Sequence, residues 1–458
     1  MTRLCVTSRI YIWSVLIEPL LFFIVVSQDI CRVGGNLSRI LQLIVVLILI
    51  SRLILLPWNK VIIPNPFSKN YRWYSYYLIF ILFSFIFGMY IGSFEESQKI
   101  ITSSSQRGTS GISLILNSQY IRPLFEYFIA IYYFVYFAIL PKYLINSPDL
   151  ISYFFKIFRY TFFISLLIGA LDFLLVLLLG YEWIPRHLSD FRHVGTRFHG
   201  LAGEPRDAFV YLGFGISLLY LNRVWEGDEK TNNWLIVSIF LCMLLTQSSS
   251  GFIGLIFAIV LIFIYQIPKI PLKYLASLFA VIISVSLSLY YAITSSDRTM
   301  LYINAIPDAL LALQMSSELP PVIEAQIVNI YPVWTRISEV ININFLPLLI
   351  GTGLGSASSL NSIFFSIDGV YNPHANIIRL VFESGLIGLA IYINAFISPI
   401  KRLSKNSMIN DLLKINMLFL IGLSFGHRSA TLFIFFGLML LVLSYKDNEI
   451  KSNKDEIK

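Results

Sequence analysis

Long apolar runs alternate with short polar stretches along almost the whole chain. A bilayer core takes about 20 mostly apolar residues per helical crossing, and the runs have that length. They predict helices over Ile10–Ser27, Ile40–Pro57, Tyr74–Gly92, Arg122–Leu140, Tyr153–Gly180 and Arg206–Leu221. Further helices are predicted over Asn233–Gln247, Gly251–Gln266, Tyr274–Ile293 and Asn376–Pro399. The last run, Leu412–Tyr445, is too long for one ordinary crossing and divides at Gly426-His427-Arg428-Ser429. That gives twelve crossings, with eleven as the alternative. The fold class is therefore an all-α polytopic membrane protein, one transmembrane domain over 1–458 with polar ends expected to be mobile. No low-complexity tract or internal repeat interrupts it.

Composition agrees with the pattern. Hydrophobic residues make up 57% of the 458 and charged residues 13%, too little charge for the surface of a soluble domain. The net charge of +8 would raise nucleic-acid binding in a soluble protein. Here it reads as lysine and arginine spent on topology and on an anionic substrate, so no nucleic-acid partner is expected. Cys5, Cys31 and Cys242 form no close pair, which argues against a disulfide framework or a zinc site. The residues before Cys31 (Ser27-Gln28-Asp29-Ile30) lack a lipoprotein cleavage site. The first apolar segment has no small-residue cleavage signal and is read as retained.

An even number of crossings puts both ends on one side, and lysine says which. Lys60, Lys69, Lys142, Lys230, Lys269, Lys273, Lys401 and Lys405 fall in short loops of a single side, with the tail 446–458, and mark it cytoplasmic. Two longer loops fall outside, 181–205 and 294–375, the second lying before the tenth helix. Neither contains lysine, yet they carry Arg186, Arg192, Arg197, Arg298 and Arg336. Lysine serves topology here, and arginine serves something else.

Arginine's planar fork and permanent charge suit bidentate contact with phosphate. The stretch from Arg186 to Arg206 is a dense cationic cluster for so apolar a chain, although pairing with lipid headgroups is the plainer explanation for Arg186 and Arg192. Three helix starts point outward as well: Pro205 after Glu204, Pro373 after Asn372, and Ser248-Ser249-Ser250 before Gly251. Their free N–H groups and positive dipole ends, beside arginines, make a seat for pyrophosphate.

The second outer loop ends in Gly351-Thr352-Gly353-Leu354-Gly355 and Tyr371-Asn372-Pro373-His374. With no strand before it, the glycine run is not a dinucleotide fingerprint. His374, as an imidazole at a helix start near Asn376, is a candidate general base for a sugar hydroxyl; capping at the interface is its plainer role. Arg379 and Glu383 are four apart, and an intrahelical ion pair explains them. Glu18, Glu126 and Asp172 stand at membrane depth, where carboxylates are paired, hydrated or neutral. Structural pairing is the reading preferred over a proton path. With no Asp-x-Asp or His-rich cluster, metal-free chemistry is expected, with no cofactor.

Gly351-Thr-Gly-Leu-Gly-Ser, Pro373-His-Ala-Asn and Glu383-Ser-Gly-Leu-Ile-Gly-Leu together resemble the signature of the O-antigen polymerase and O-antigen ligase superfamily. Arg197-Phe-His-Gly-Leu-Ala-Gly-Glu-Pro-Arg206 and Thr246-Gln-Ser-Ser-Ser-Gly-Phe-Ile-Gly254 resemble its other motifs. The likeness covers Arg192 to Leu389, and the first five helices carry only hydropathy. It implies a GT-C-like membrane glycosyltransferase of the bacterial inner membrane with a periplasmic active site. The implied donor is an undecaprenyl-pyrophosphate-linked oligosaccharide; the membrane lipids and a chain-length regulator protein are the other implied partners. Arg197 and His374 match positions important in that superfamily. Ligases usually carry an arginine where this chain has Ser249 or Ser250, which favours a polymerase.

The expected reaction is an inverting transfer. Arg197 and Arg206, with Arg298, Arg336 and Arg192, hold the pyrophosphate and stabilise the charge that leaves. His374, or as second choice Glu204, takes the acceptor's proton. Tyr371, Trp334 and Asn376 contact the glycan, although aromatic residues also sit at membrane interfaces for their own sake. The alternatives are a ligase moving glycan to lipid A core and, from another class, a lipid-linked oligosaccharide flippase or transporter. A flippase should line both halves of the membrane with cations, whereas here the arginines concentrate on one side.

Overall fold

The computed structural model describes residues 2–20, 37–55, 65–90, 121–181, 183, 197–226, 233–266, 346–355, 376–400 and 407–455. Among these the regular structure is helical throughout. The helices are α1 (Thr2–Leu16), α2 (Leu37–Leu55), α3 (Arg72–Tyr90), α4 (Ile121–Tyr133), α5 (Pro148–Leu179) and α6 (Pro205–Glu226). After them come α7 (Asn233–Leu245), α8 (Ser249–Gln266), the short α9 (Leu346–Ile350), α10 (Asn376–Ile397), α11 (Ser407–Gly426) and α12 (Thr431–Asp455).

Six segments are long and apolar enough to cross a membrane: Leu37–Leu55, Arg72–Tyr90, Pro123–Leu144, Pro148–Leu179, Pro205–Glu226 and Arg379–Ile397. Shorter apolar helices cover Leu235–Leu245, Ser250–Gln266 and Thr431–Lys446. The chain is a polytopic membrane-embedded protein, with six rather than twelve full-length spans among the described residues. The expected crossing over Tyr274–Ile293 lies outside them.

Several boundaries differ from those the apolar runs predict. The first helix is Thr2–Leu16 instead of Ile10–Ser27, because the chain turns at Ile17–Pro19, where proline disfavours helix in the residue before it. Helix α1 begins at Thr2, and α12 continues to Asp455. After Tyr133, α4 widens into a π-helical stretch, Phe134–Ile139, and closes with the single turn Pro141–Leu144. The division of the last run at Gly426 holds.

Helix α5 begins five residues before the predicted start. Ser147 is extended (φ −140°, ψ 151°) and its hydroxyl accepts the Leu150 N–H at 3.3 Å, with Pro148 in the first turn. At the other end Gly180 adopts φ 66° and closes the helix onto Leu175 and Val176. Its 32 residues span about 48 Å at 1.5 Å per residue, more than the roughly 30 Å of hydrocarbon. Ser147→Ala should cost about 1 kcal/mol. The loss would be read as earlier unfolding of the solubilised protein in an SDS titration; an unshifted midpoint rules out the cap.

The chain forms two compact units. The first comprises Met1–Asn70, Tyr132–Gly251 and Ile397–Lys458. Its centre is α6, most of which is buried. A Cβ at Gly215 would strike the Phe162 ring at 2.1 Å, and one at Gly251 would meet Phe209 at 2.5 Å, so glycine sets the close approach of α5, and of the first residues of α8, to α6. Polar contacts gather at its two ends. At one, Arg52 bonds Thr7, Arg9 lies over Tyr153, Arg159 pairs with Glu226, and Trp225 donates to Ser152. At the other, Glu18 pairs with Arg39 at 2.6 Å, and Asp172, His199, Asp207 and His427 collect. Leu245 at the end of α7 bonds Phe198, and Tyr445 of α12 lies beside Trp225, so within this unit α1, α5 and α7 run opposite to α2, α6 and α12.

The second unit comprises Tyr71–Ile131 and Phe252–Phe396. Here α10 is broken at Gly385 (φ 66°, ψ 177°), whereas the apolar run predicts an uninterrupted helix. The break deprives the Phe382 and Glu383 carbonyls of partners one turn on, and a bilayer offers no water to replace them. The glycine run supplies them: Thr352 N–H donates to Phe382 O (2.8 Å) and Gly353 N–H to Glu383 O (2.9 Å). Ser84 adds its hydroxyl to Glu383 O at 2.8 Å. Gly351, Gly353 and Gly355 all hold φ between 80° and 93°, the left-handed region that glycine alone adopts cheaply.

Candidate functional site

The site is built at the head of α6. Pro205 occupies the first turn, where a missing N–H costs nothing, and Ala208 N–H closes the first bond onto Glu204 O at 2.9 Å. The turn carries Arg206 and Asp207. Arg206 Nε meets Glu204 Oε2 at 2.7 Å; the guanidinium is 44% exposed, and its Nη groups take no partner among the described residues. Asp207 Oδ1 lies 2.7 Å from His427 Nε2. His427 directly follows α11, and its N–H donates to Leu423 O at 3.1 Å, which fixes the residue on the helix end.

The preceding loop is fastened beneath this head. Phe198 N–H donates to Leu245 O, and its ring packs over Gly169, where the backbone at Gly200 comes close. His199 is 2% exposed, with Nε2 3.4 Å from Asp172 Oδ2 and Nδ1 3.1 Å from Gly200 O. Asp172 also accepts the Trp183 N–H at 2.9 Å. The intramembrane Asp172 is thus structurally paired, as preferred from sequence. At the start of α8, Ser248 caps Gly251 N–H (3.2 Å) and contacts the Ser250 hydroxyl (3.3 Å), so the serine run does begin a helix. Gln247 takes φ 47° to make that turn.

No protein family, curated protein or solved structure matches this chain.

The head of α6 brings together Glu204 and Arg206 from the sequence candidates, with Arg197 in the loop just before it. Asn376 opens α10 in the second unit and is almost buried. Arg192, Arg298, Arg336, Trp334, Tyr371 and His374 lie outside the described residues. The second unit holds a separate charge cluster. Arg379 Nε contacts Glu383 Oε1 at 2.8 Å, and its Nη2 lies 3.1 Å from Glu126 Oε2. Glu383, 2% exposed, also accepts the Gly355 N–H at 2.8 Å. The expected intrahelical pair therefore exists, but it also binds α4 and the glycine loop. Likewise Glu18 is paired with Arg39 and accepts from Ser38 at 2.8 Å.

Sequence reasoning missed His427 and Asp207. A signal was present: the polar break between α11 and α12 falls, by alternation, on the side where the arginines lie. It was used only to divide a long apolar run.

Proposed function

We propose that this protein is a membrane glycosyltransferase that polymerises lipid-linked polysaccharide repeat units, an O-antigen polymerase. It works at the periplasmic face of a bacterial inner membrane by inverting, metal-independent transfer. The supporting observation is the head of α6, where Arg206, half exposed with free Nη groups, stands among first-turn backbone N–H groups. That combination suits a diphosphate leaving group. Arg197, one loop away, is the second cation of this reading, and the sequence resemblance supplies the reaction class.

The test is complementation of a strain lacking the gene, with surface polysaccharide displayed on a gel at matched membrane abundance. Wild type should restore a ladder. Arg206→Ala should slow chain growth about 10²–10³-fold, the usual cost of one donor to developing charge, and leave single repeat units on lipid A core. Full-length polymer stranded on the lipid carrier when the gene is absent would instead mark a ligase. Repeat units trapped on the cytoplasmic leaflet would mark a flippase. An Arg206→Ala ladder indistinguishable from wild type removes the α6 head from the reaction.

A further inference from the structure

Two histidine–aspartate pairs stand in the first unit, and exposure separates them. His199 is 2% exposed and has both ring nitrogens against protein, Nε2 toward Asp172 and Nδ1 toward Gly200 O. It is buried against α5. His427 is 20% exposed, and only its Nε2 is engaged, by Asp207 at 2.7 Å. A carboxylate on Nε2 fixes the neutral imidazole as the Nε2–H tautomer and leaves the lone pair on Nδ1. Among the described residues Nδ1 takes no partner.

We propose that His427, oriented by Asp207, is the general base of the glycosyl transfer; this rests on the polymerase reading above. Asp207 follows Arg206 directly on the first turn of α6, so one helix turn carries both the diphosphate cation and the residue that holds the base. The rival just before that turn, Glu204, has its carboxylate engaged by the Arg206 guanidinium at 2.7 Å. The backbone bond from His427 to Leu423 O keeps the imidazole on the rigid end of α11.

In the step, the acceptor hydroxyl oxygen bonds to the donor's anomeric carbon as the bond from that carbon to the diphosphate oxygen breaks. The electron pair leaves with the lipid diphosphate. The hydroxyl proton passes to His427 Nδ1, and the imidazolium, stabilised by Asp207, releases it to water. Asp207 is a positioning residue.

The experiment uses the full chain in phosphatidylethanolamine–phosphatidylglycerol nanodiscs and, as substrate, the lipid-linked repeat unit extracted from cells lacking the gene. His427→Ala should lower kcat about 10²–10⁴-fold with KM within about threefold, and added imidazole should recover part of the rate. His427→Gln keeps a donor for Asp207 but accepts no proton at neutral pH, so it should be equally slow. Asp207→Asn should be slow and Asp207→Glu partly restored. His199→Ala should lower the folded yield rather than kcat per folded molecule. Wild-type kcat in folded His427→Gln, or a loss confined to His374→Ala, overturns the assignment while the polymerase reading stands. Failure of wild type to elongate the repeat unit sinks that reading, and this inference with it.

Discussion

Gly385→Ala is expected to leave little folded protein in the membrane. A Cβ at this position would lie 2.2 Å from Leu349 O, 2.4 Å from Leu349 C and 2.6 Å from Gly351 N. All three are backbone atoms, so no side chain can rotate away. The dihedral pair φ 66°, ψ 177° is in addition a region held almost only by glycine. Strain of that kind costs about 1–3 kcal/mol, and forced overpacking adds a similar amount. The total is about 4 kcal/mol, enough to melt a marginal membrane protein. Gly180→Ala is the control, because it shares φ 66° but has nothing within 4 Å of the added atom. It should cost about 1 kcal/mol. Unfolding midpoints in SDS decide the matter: equal shifts for the two variants would mean that the close approach of the glycine loop to α10 is unimportant.

Arg379→Met is expected to be the next most damaging change. It removes the cation that pairs with both Glu126 and Glu383, which are largely buried. Removing one partner of a buried ion pair typically costs about 3–5 kcal/mol, because the remaining charge is stranded. Replacing all three together (Glu126→Gln, Arg379→Met and Glu383→Gln) should recover most of the stability. A glutamine at 383 retains an oxygen for the Gly355 N–H that Glu383 now accepts. Arg379→Lys should fall between, since one ammonium lacks the fork that reaches both carboxylates. If Arg379→Met unfolds at the wild-type midpoint, the cluster contributes nothing to stability. If the triple variant is as weak as the single one, side-chain packing rather than charge explains the loss.

The candidate site was legible where its signal is local. Pro205 after Glu204, and serine before Gly251, announce helix starts through backbone chemistry confined to a few residues, and both starts are present. Arg206 stood out because arginine is conspicuous in an apolar chain. Its engagement with Glu204 was not legible, because two residues separated by one proline can point together or apart. The glycine run 351–355 looked weak for a related reason. Its meaning lies in the carbonyls of Phe382 and Glu383, some thirty positions on, which its amides satisfy. The break in α10 stayed hidden because Ser384-Gly385 sits inside an apolar run, and glycine is tolerated in ordinary membrane helices.

By itself the sequence determined the class of protein, the position of most helices and their alternating direction. Hydropathy and helical period are properties of neighbours in the chain and need no knowledge of packing. Only the tertiary structure decided which charges meet. Asp207 and His427 are 220 positions apart, and Glu126 reaches Arg379 across two helices. In a low-dielectric interior each intramembrane charge must find a partner, but its identity follows from which helix faces pack together. Glycine contacts such as Gly215 on Phe162 and Gly251 on Phe209 set those faces, and hydropathy does not record them.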